Sequence, residues 1–111
     1  MGNSASYNAL LILASLADGD RHGYAIKRTI ADRSGGLVRL GSTTLYRLLG
    51  QLRDDGLIDE SASRPPAELD DERRRYFRIT AKGRQALATE ARRLERVLMA
   101  VRPSLAPRGR L

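Results

Sequence analysis

Three helical segments, a β-hairpin and one long last helix, in that order along 111 residues, predict a mainly α fold with a small β-hairpin. That order is a winged helix-turn-helix with an N-terminal helix and a C-terminal dimerisation helix. Three observations carry the prediction: a leucine stripe at helical spacing in the third segment, alternating residues on either side of a polar turn, and apolar residues stepping by four and three along the last segment.

Residues 7–17 read as a helix that is apolar nearly all round, through Tyr7, Leu10, Leu11, Ile12, Leu13 and Leu16, with Ser4 or Ser6 as its cap. Such a helix in so small a domain needs a second partner, which places Leu10 and Leu13 at a subunit interface. Asp18-Gly19-Asp20 is a turn signal. A second helix is expected over 22–34, with Ala25, Ile26 and Ile30 inward, and Gly35-Gly36 ends it. After a short extended piece at 37–40, Ser42 reads as the N-cap of a third helix that runs to Asp55. Its Leu45, Leu48, Leu49 and Leu52 make an amphipathic stripe; Gly56 supplies a left-handed C-terminal residue, and Leu57 folds back on the last turn.

Residues 57–61 and 74–79 read as antiparallel strands around a polar loop, 64–72, that contains Pro65-Pro66. Phe77 and Ile79 face inward, Tyr76 and Arg78 outward. Thr80 caps a last helix over 81–101, ended by Pro103. On it Leu87, Ala91, Leu94, Leu98 and Val101 form a seam for packing against another helix. Met99, with Val97 or Leu98, reads as core packing, with an effector cavity as the weaker alternative. The expected organisation is therefore a reading domain over 1–80, a dimerisation helix over 81–102 and a flexible basic tail over 103–111.

Twenty basic residues, eighteen of them arginine, stand against thirteen acidic ones, for a net charge of +7. The charge is blocked rather than spread. Residues 21–53 carry seven bases and one acid, 54–72 one base and eight acids, and 73–84 six bases and no acid. Two basic blocks that meet in space would make one anion-binding face. On the third helix Thr43, Thr44, Arg47 and Gln51 lie opposite the leucines, with Ser42 at the start. They offer hydroxyls, a guanidinium and an amide to base edges or phosphates in a major groove. Arg64, Arg73, Arg74, Arg75 and Arg78 crowd the hairpin, where guanidiniums suit a minor groove or its flanking phosphates. The acidic tip, 68–72, opposes such contacts where it faces the duplex. His22 reads as structural and Tyr24 as packing; Gly50, on the exposed side of the third helix, permits close approach of the second helix or of DNA.

Four motifs then make a resemblance specific. His22-Gly23-Tyr24, Thr44-Leu45-Tyr46, Asp55-Gly56-Leu57-Ile58 and the run from Arg75 through Tyr76, Phe77, Arg78, Ile79, Thr80, Ala81 and Lys82 to Gly83 resemble the PadR family of bacterial transcriptional regulators, in its order and spacing, across about residues 7–90. The resemblance implies a homodimeric repressor that binds double-stranded DNA with its third helix in the major groove, Tyr46 touching a phosphate or packing, and the first and last helices pairing the subunits. A small-molecule effector is a further partner it allows. With one C-terminal helix the chain resembles the family's short branch. Some members of that branch bind flat aromatic drugs between tryptophans; this chain has no tryptophan, so that mode does not carry over.

Other functions are weakly supported. There is no cysteine and one histidine, so neither disulfides, nor thiolate or histidine metal sites, nor a cofactor is expected. No nucleophile-base pair suggests an enzyme. Only Tyr76 looks free for the base stacking that RNA readers use. The apolar run at 9–14 is far short of the ~20 residues of a membrane span and lacks the flanks of a signal peptide, so no membrane partner and a cytoplasmic location are expected. A winged helix that binds another protein without reading DNA is the alternative, and salt dependence separates the two.

Overall fold

The structure, a computed structural model, describes the backbone over residues 4–61 and 75–105, and side chains from Tyr7 onward. Its elements are α1 (Ser4–Leu16), β1 (Arg21–His22), α2 (Gly23–Arg33), α3 (Ser42–Asp54), β2 (Ile58–Glu60), β3 (Tyr76–Ile79) and α4 (Ala81–Val101), closed by a 3-10 turn over Arg102–Leu105. Three boundaries correct the sequence reading. Helix α1 begins at Ser4, so Ser6 lies inside it rather than capping it. Gly41, not Ser42, is the N-cap of α3; Ser42 already has helical backbone. The expected flexible tail is helical over its first three residues, because the turn Arg102–Leu105 carries Pro103 where a proline costs no helical hydrogen bond.

The capping chemistry follows side-chain reach. His22 caps α2 by accepting the Ala25 amide on Nδ1 at 3.2 Å, and Thr80 caps α4 by accepting the Gly83 amide at 3.0 Å. The core gathers Ile12, Leu13 and Leu16 of α1, Ile26 and Ile30 of α2, the four leucines of α3, and Ile58, Phe77 and Ile79 of the sheet. Burial of each is worth ~1.5–3 kcal/mol. Leu13 belongs to this set at 4% exposure. It was expected at a subunit interface, but its own core already covers it.

The sheet has three strands, in the order β1-β3-β2, rather than the two of a simple hairpin. Both pairings are antiparallel: Ile58 lies opposite Ile79, Asp59 opposite Arg78 and Glu60 opposite Phe77, while Arg21 pairs with Phe77 and His22 with Tyr76. The extra strand ties the α1–α2 connection to the hairpin.

A joint between the ends of α3 and α4 accounts for two of the sequence motifs together. Gly56 (φ +77°) turns the chain left-handed, which lets Gly56 donate to Arg53 O at 3.0 Å and Leu57 to Leu52 O at 2.9 Å. Thr80 then donates its amide to Leu57 O at 3.0 Å and its hydroxyl to Gly56 O at 2.7 Å, while Lys82 Nζ reaches Asp55 O at 2.9 Å. Gly83 lies so close to the Leu57 carbonyl that no β-carbon fits.

At the other end, Arg21 Nε and Arg33 Nη1 donate to the Ser15 and Ala14 carbonyls of α1 at 2.6 and 3.3 Å, satisfying its open C-terminus. Both arginines also grip Asp18, at 3.1 and 2.7 Å. The hydrogen bond from Arg33, then that from Arg21, holds the Asp18 carboxyl below its usual 3.8.

Helix α4 is half in and half out. Leu87 packs on the core and Leu94 is half-buried, but Ala91 is exposed. Val97, Leu98, Met99, Val101 and Leu105 stand 43–65% exposed along the far half. Neither Met99 nor Val97 is a core residue here, contrary to the sequence reading.

Candidate nucleic-acid interface

Helix α3 separates its two faces cleanly. Leu45, Leu48, Leu49 and Leu52 are buried, while Ser42, Thr43, Arg47 and Gln51 are exposed along the outer face. Thr44 is half-buried at the edge of that face rather than central to it. Because Gly41 has no side chain to cap with, the first-turn amides of α3 lack a side-chain acceptor. Such amides suit a phosphate oxygen. Tyr46 is 43% exposed and leans toward Gly23 at the start of α2, so it packs and keeps an accessible edge at once. A β-carbon at Gly50 would meet nothing within 4 Å, so close approach of α2 is not what that glycine serves.

The α2 side of this surface is one the sequence reading missed. Lys27 Nζ donates to Ser42 Oγ at 3.1 Å, joining α2 to the first turn of α3. Arg28 lies over the Tyr24 ring at 5.8 Å from its centroid. Tyr24 is 59% exposed, so it is not the packing residue expected. A groove of about 160 Å³ between Tyr24, Lys27, Arg28 and Arg39 opens beside the start of α3. Among the described residues neither Arg39 nor Arg47 pairs with a carboxylate. Lys27, Arg28 and Arg39 thus line one groove, and Lys27 reaches from it to the first turn of α3. The available signal was Arg28, on the side of the second helix opposite Ile26 and Ile30, with Lys27 at its flank.

The hairpin behaves differently. Arg78 Nε donates to Asp59 Oδ1 at 2.9 Å and Arg75 Nη2 to Glu60 Oε2 at 2.7 Å. Arg53 Nη1, from the end of α3, lies 3.6 Å from the same Glu60 oxygen. Arg75 and Arg78 were expected as open groove contacts; the β2–β3 register instead hands each of them a carboxylate. Arg64, Arg73 and Arg74, and the acidic tip, lie outside the described residues.

Among the described residues, no group of three or more His, Cys, Asp or Glu could hold a metal ion, and no helix is long and apolar enough to cross a membrane. The arrangement is therefore a cationic, hydrogen-bonding surface on one side of a helix-turn-helix, with the amphipathic helix α4 beside it.

Comparison with known proteins agrees with this geometry. A model of the transcriptional regulator PadR-like family matches residues 12–89. A curated relative, an uncharacterized 37.1 kDa protein in transposon TN4556 of Streptomyces fradiae, is 39% identical over 98 residues. The match covers 88% of this chain and 26% of that protein, so the chain spans about a quarter of the relative's length. Among solved structures, a transcriptional regulator from Clostridium thermocellum, Cth-833, is similar with a TM-score of 0.74 and 26% identity over 92% of both chains. A PadR family transcription regulator from Clostridium difficile R20291 has the same fold, with a TM-score of 0.75 at 23% identity over 90% of this chain and 99% of that one.

Proposed function

The chain belongs to the PadR-like family of transcriptional regulators, and on that premise we propose that it is a repressor that binds a roughly palindromic DNA operator as a homodimer. The observation that carries the reading is the outer face of α3, where Thr43, Arg47 and Gln51 stand exposed, with the Lys27–Ser42 contact and Arg39, which pairs with no carboxylate among the described residues, on the α2 side. Thr43, Arg47 and Gln51 have the donors and acceptors to read base edges. Lys27, Arg28 and Arg39 supply phosphate contacts that set register without sequence information.

The far half of α4 supports the dimer. Leu94 and Leu98 continue a seam that begins at Leu87, and Leu98 is 46% exposed. Leu10, half-buried on α1, and Val101 extend it. A twofold pair of such helices presents two copies of α3 to half-sites about one helical turn apart. Repression by occupying the operator is the mode that the family resemblance implies by default.

Selection of genomic fragments, followed by footprinting and in vitro transcription from a selected fragment, tests the reading. A palindromic footprint with lowered transcription is expected. Transcription raised by the protein would make it an activator; salt-insensitive binding, or none, would remove DNA from its function.

A further inference from the structure

The two basic surfaces of this chain are treated unequally, and that inequality has a purpose in a DNA-binding protein. Beside α3, Arg39 and Arg47 are without a carboxylate among the described residues. At the hairpin three guanidiniums, two from its second half and Arg53 from the last turn of α3, are held by two carboxylates of β2. Asp59 sits directly across the strands from Arg78. Glu60 Oε2 is approached from one side by Arg75, at 2.7 Å, and from the other by Arg53, at 3.6 Å.

We propose that Asp59 and Glu60 are internal competitors for the arginines around β2, which hold Arg53, Arg75 and Arg78 back from indiscriminate attachment to polyanions and so sharpen the choice between cognate and non-cognate duplexes. The proposal rests on the DNA-binding reading above. A carboxylate offers a guanidinium the same planar pair of acceptors as a phosphate. The side chains concerned are 44–52% exposed, so the pairs lie in water and contribute little to stability. Their weight falls on association instead. An arginine that leaves its carboxylate for a phosphate strands a negative charge beside the DNA backbone. Only a duplex that also satisfies α3 offsets that repulsion. The five side chains together carry a net +1; without the two carboxylate charges they would carry +3.

The test replaces both acids isosterically, Asp59→Asn with Glu60→Gln, in the whole chain. The variant and the parent are titrated with a scrambled-sequence duplex and with a duplex recovered by selection, at several salt concentrations. Each further phosphate neutralised adds ~0.9 to the slope of log affinity against log salt. The variant should bind the scrambled duplex more tightly, with a slope steeper by about one to two units, and its preference for the selected duplex should fall. The single Asp59→Asn variant should show about half the slope change. A companion pair, Arg75→Gln with Arg78→Gln, should change the scrambled-duplex slope by less than one unit in the parent and by about two in the carboxamide background. An unchanged slope, weaker binding by the carboxamide variant, or equal arginine effects in both backgrounds would overturn the proposal. A parent that binds neither duplex would instead defeat the DNA-binding reading on which it rests.

Discussion

The ring of Tyr46 lies across the backbone of Gly23, so that a β-carbon at residue 23 would sit 2.9 Å from Cζ and nearer still to the hydroxyl. The two residues come from separate motifs, one opening α2 and one in α3. Their contact fixes how closely those helices approach. Gly23→Ala should therefore cost ~1–3 kcal/mol in denaturant unfolding, as overpacking does. Tyr46→Ala in the same chain should recover most of that loss, because the obstruction is a movable side chain. Equal costs of Gly23→Ala in both backgrounds would show that the contact is not what limits residue 23.

Gly83→Ala should cost more than Gly23→Ala. The atom it meets is the Leu57 carbonyl oxygen, with the Leu57 carbonyl carbon at 3.0 Å. That backbone is held by the Thr80 amide and by the Schellman turn at Gly56, so it cannot step aside. Thermal melts of the two variants side by side rank them. A smaller loss at Gly83 would refute the account of the α3–α4 joint.

Arg47→Ala and the pair Arg28→Ala with Arg39→Ala should fail in different ways. The first should cost ~1–3 kcal/mol on a selected operator and relax preference at one base position. The second should weaken all duplexes alike and reduce the salt slope by about one to two units. Competition binding with single-base operator variants distinguishes them.

Leu94→Glu with Leu98→Glu places charge on the α4 seam, where an unpaired charge in an interface is costly. Because both side chains are partly exposed in the single chain, the variant should fold as a monomer and lose high-affinity operator binding with α3 intact. Sedimentation beside a duplex titration measures both. Tight operator binding by that monomer would dismiss the dimer.

The Asp18 clamp predicts an acid-sensitive contribution. Its carboxyl is held below 3.8 by Arg33 and Arg21, so the folded value lies under the unfolded one. The contribution is then present at neutral pH and is lost as pH falls below 3.8 through the folded value. The stability gap between the parent and Asp18→Asn, followed by circular dichroism, should narrow over that acid window. A gap independent of pH would mean that the ion pairs do not stabilise the fold.

What the sequence made legible was whatever repeats within one element. The four leucines of α3 betray their helix because their spacing matches its turn, and Thr80, Gly56 and Leu57 announce helix ends through chemistry that acts over three or four residues. Strand β1 was not legible, since Arg21–His22 is two residues long and carries no alternation. Nor was the pairing of Arg75 and Arg78 with carboxylates, which depends on the register of β2 against β3. Lys27, Arg28 and Arg39 were overlooked for a similar reason. Their charges were visible in the 21–53 block, but only the packing of α2 beside α3 brings them to one surface.

His22 serves two masters: it caps the first turn of α2 and, as half of β1, pairs with Tyr76, whose ring it also meets edge-on at 5.3 Å. A pull on the hairpin is therefore a pull on the helix it caps. The sheet is thereby joined to α2 through one residue, and α2 to α3 through the Gly23–Tyr46 contact beside it. In the homodimer proposed above, tolerance for operators of slightly different spacing would then fall to the seam between the two subunits, where a sliding of paired helices changes the distance between the two copies of α3 without disturbing either one.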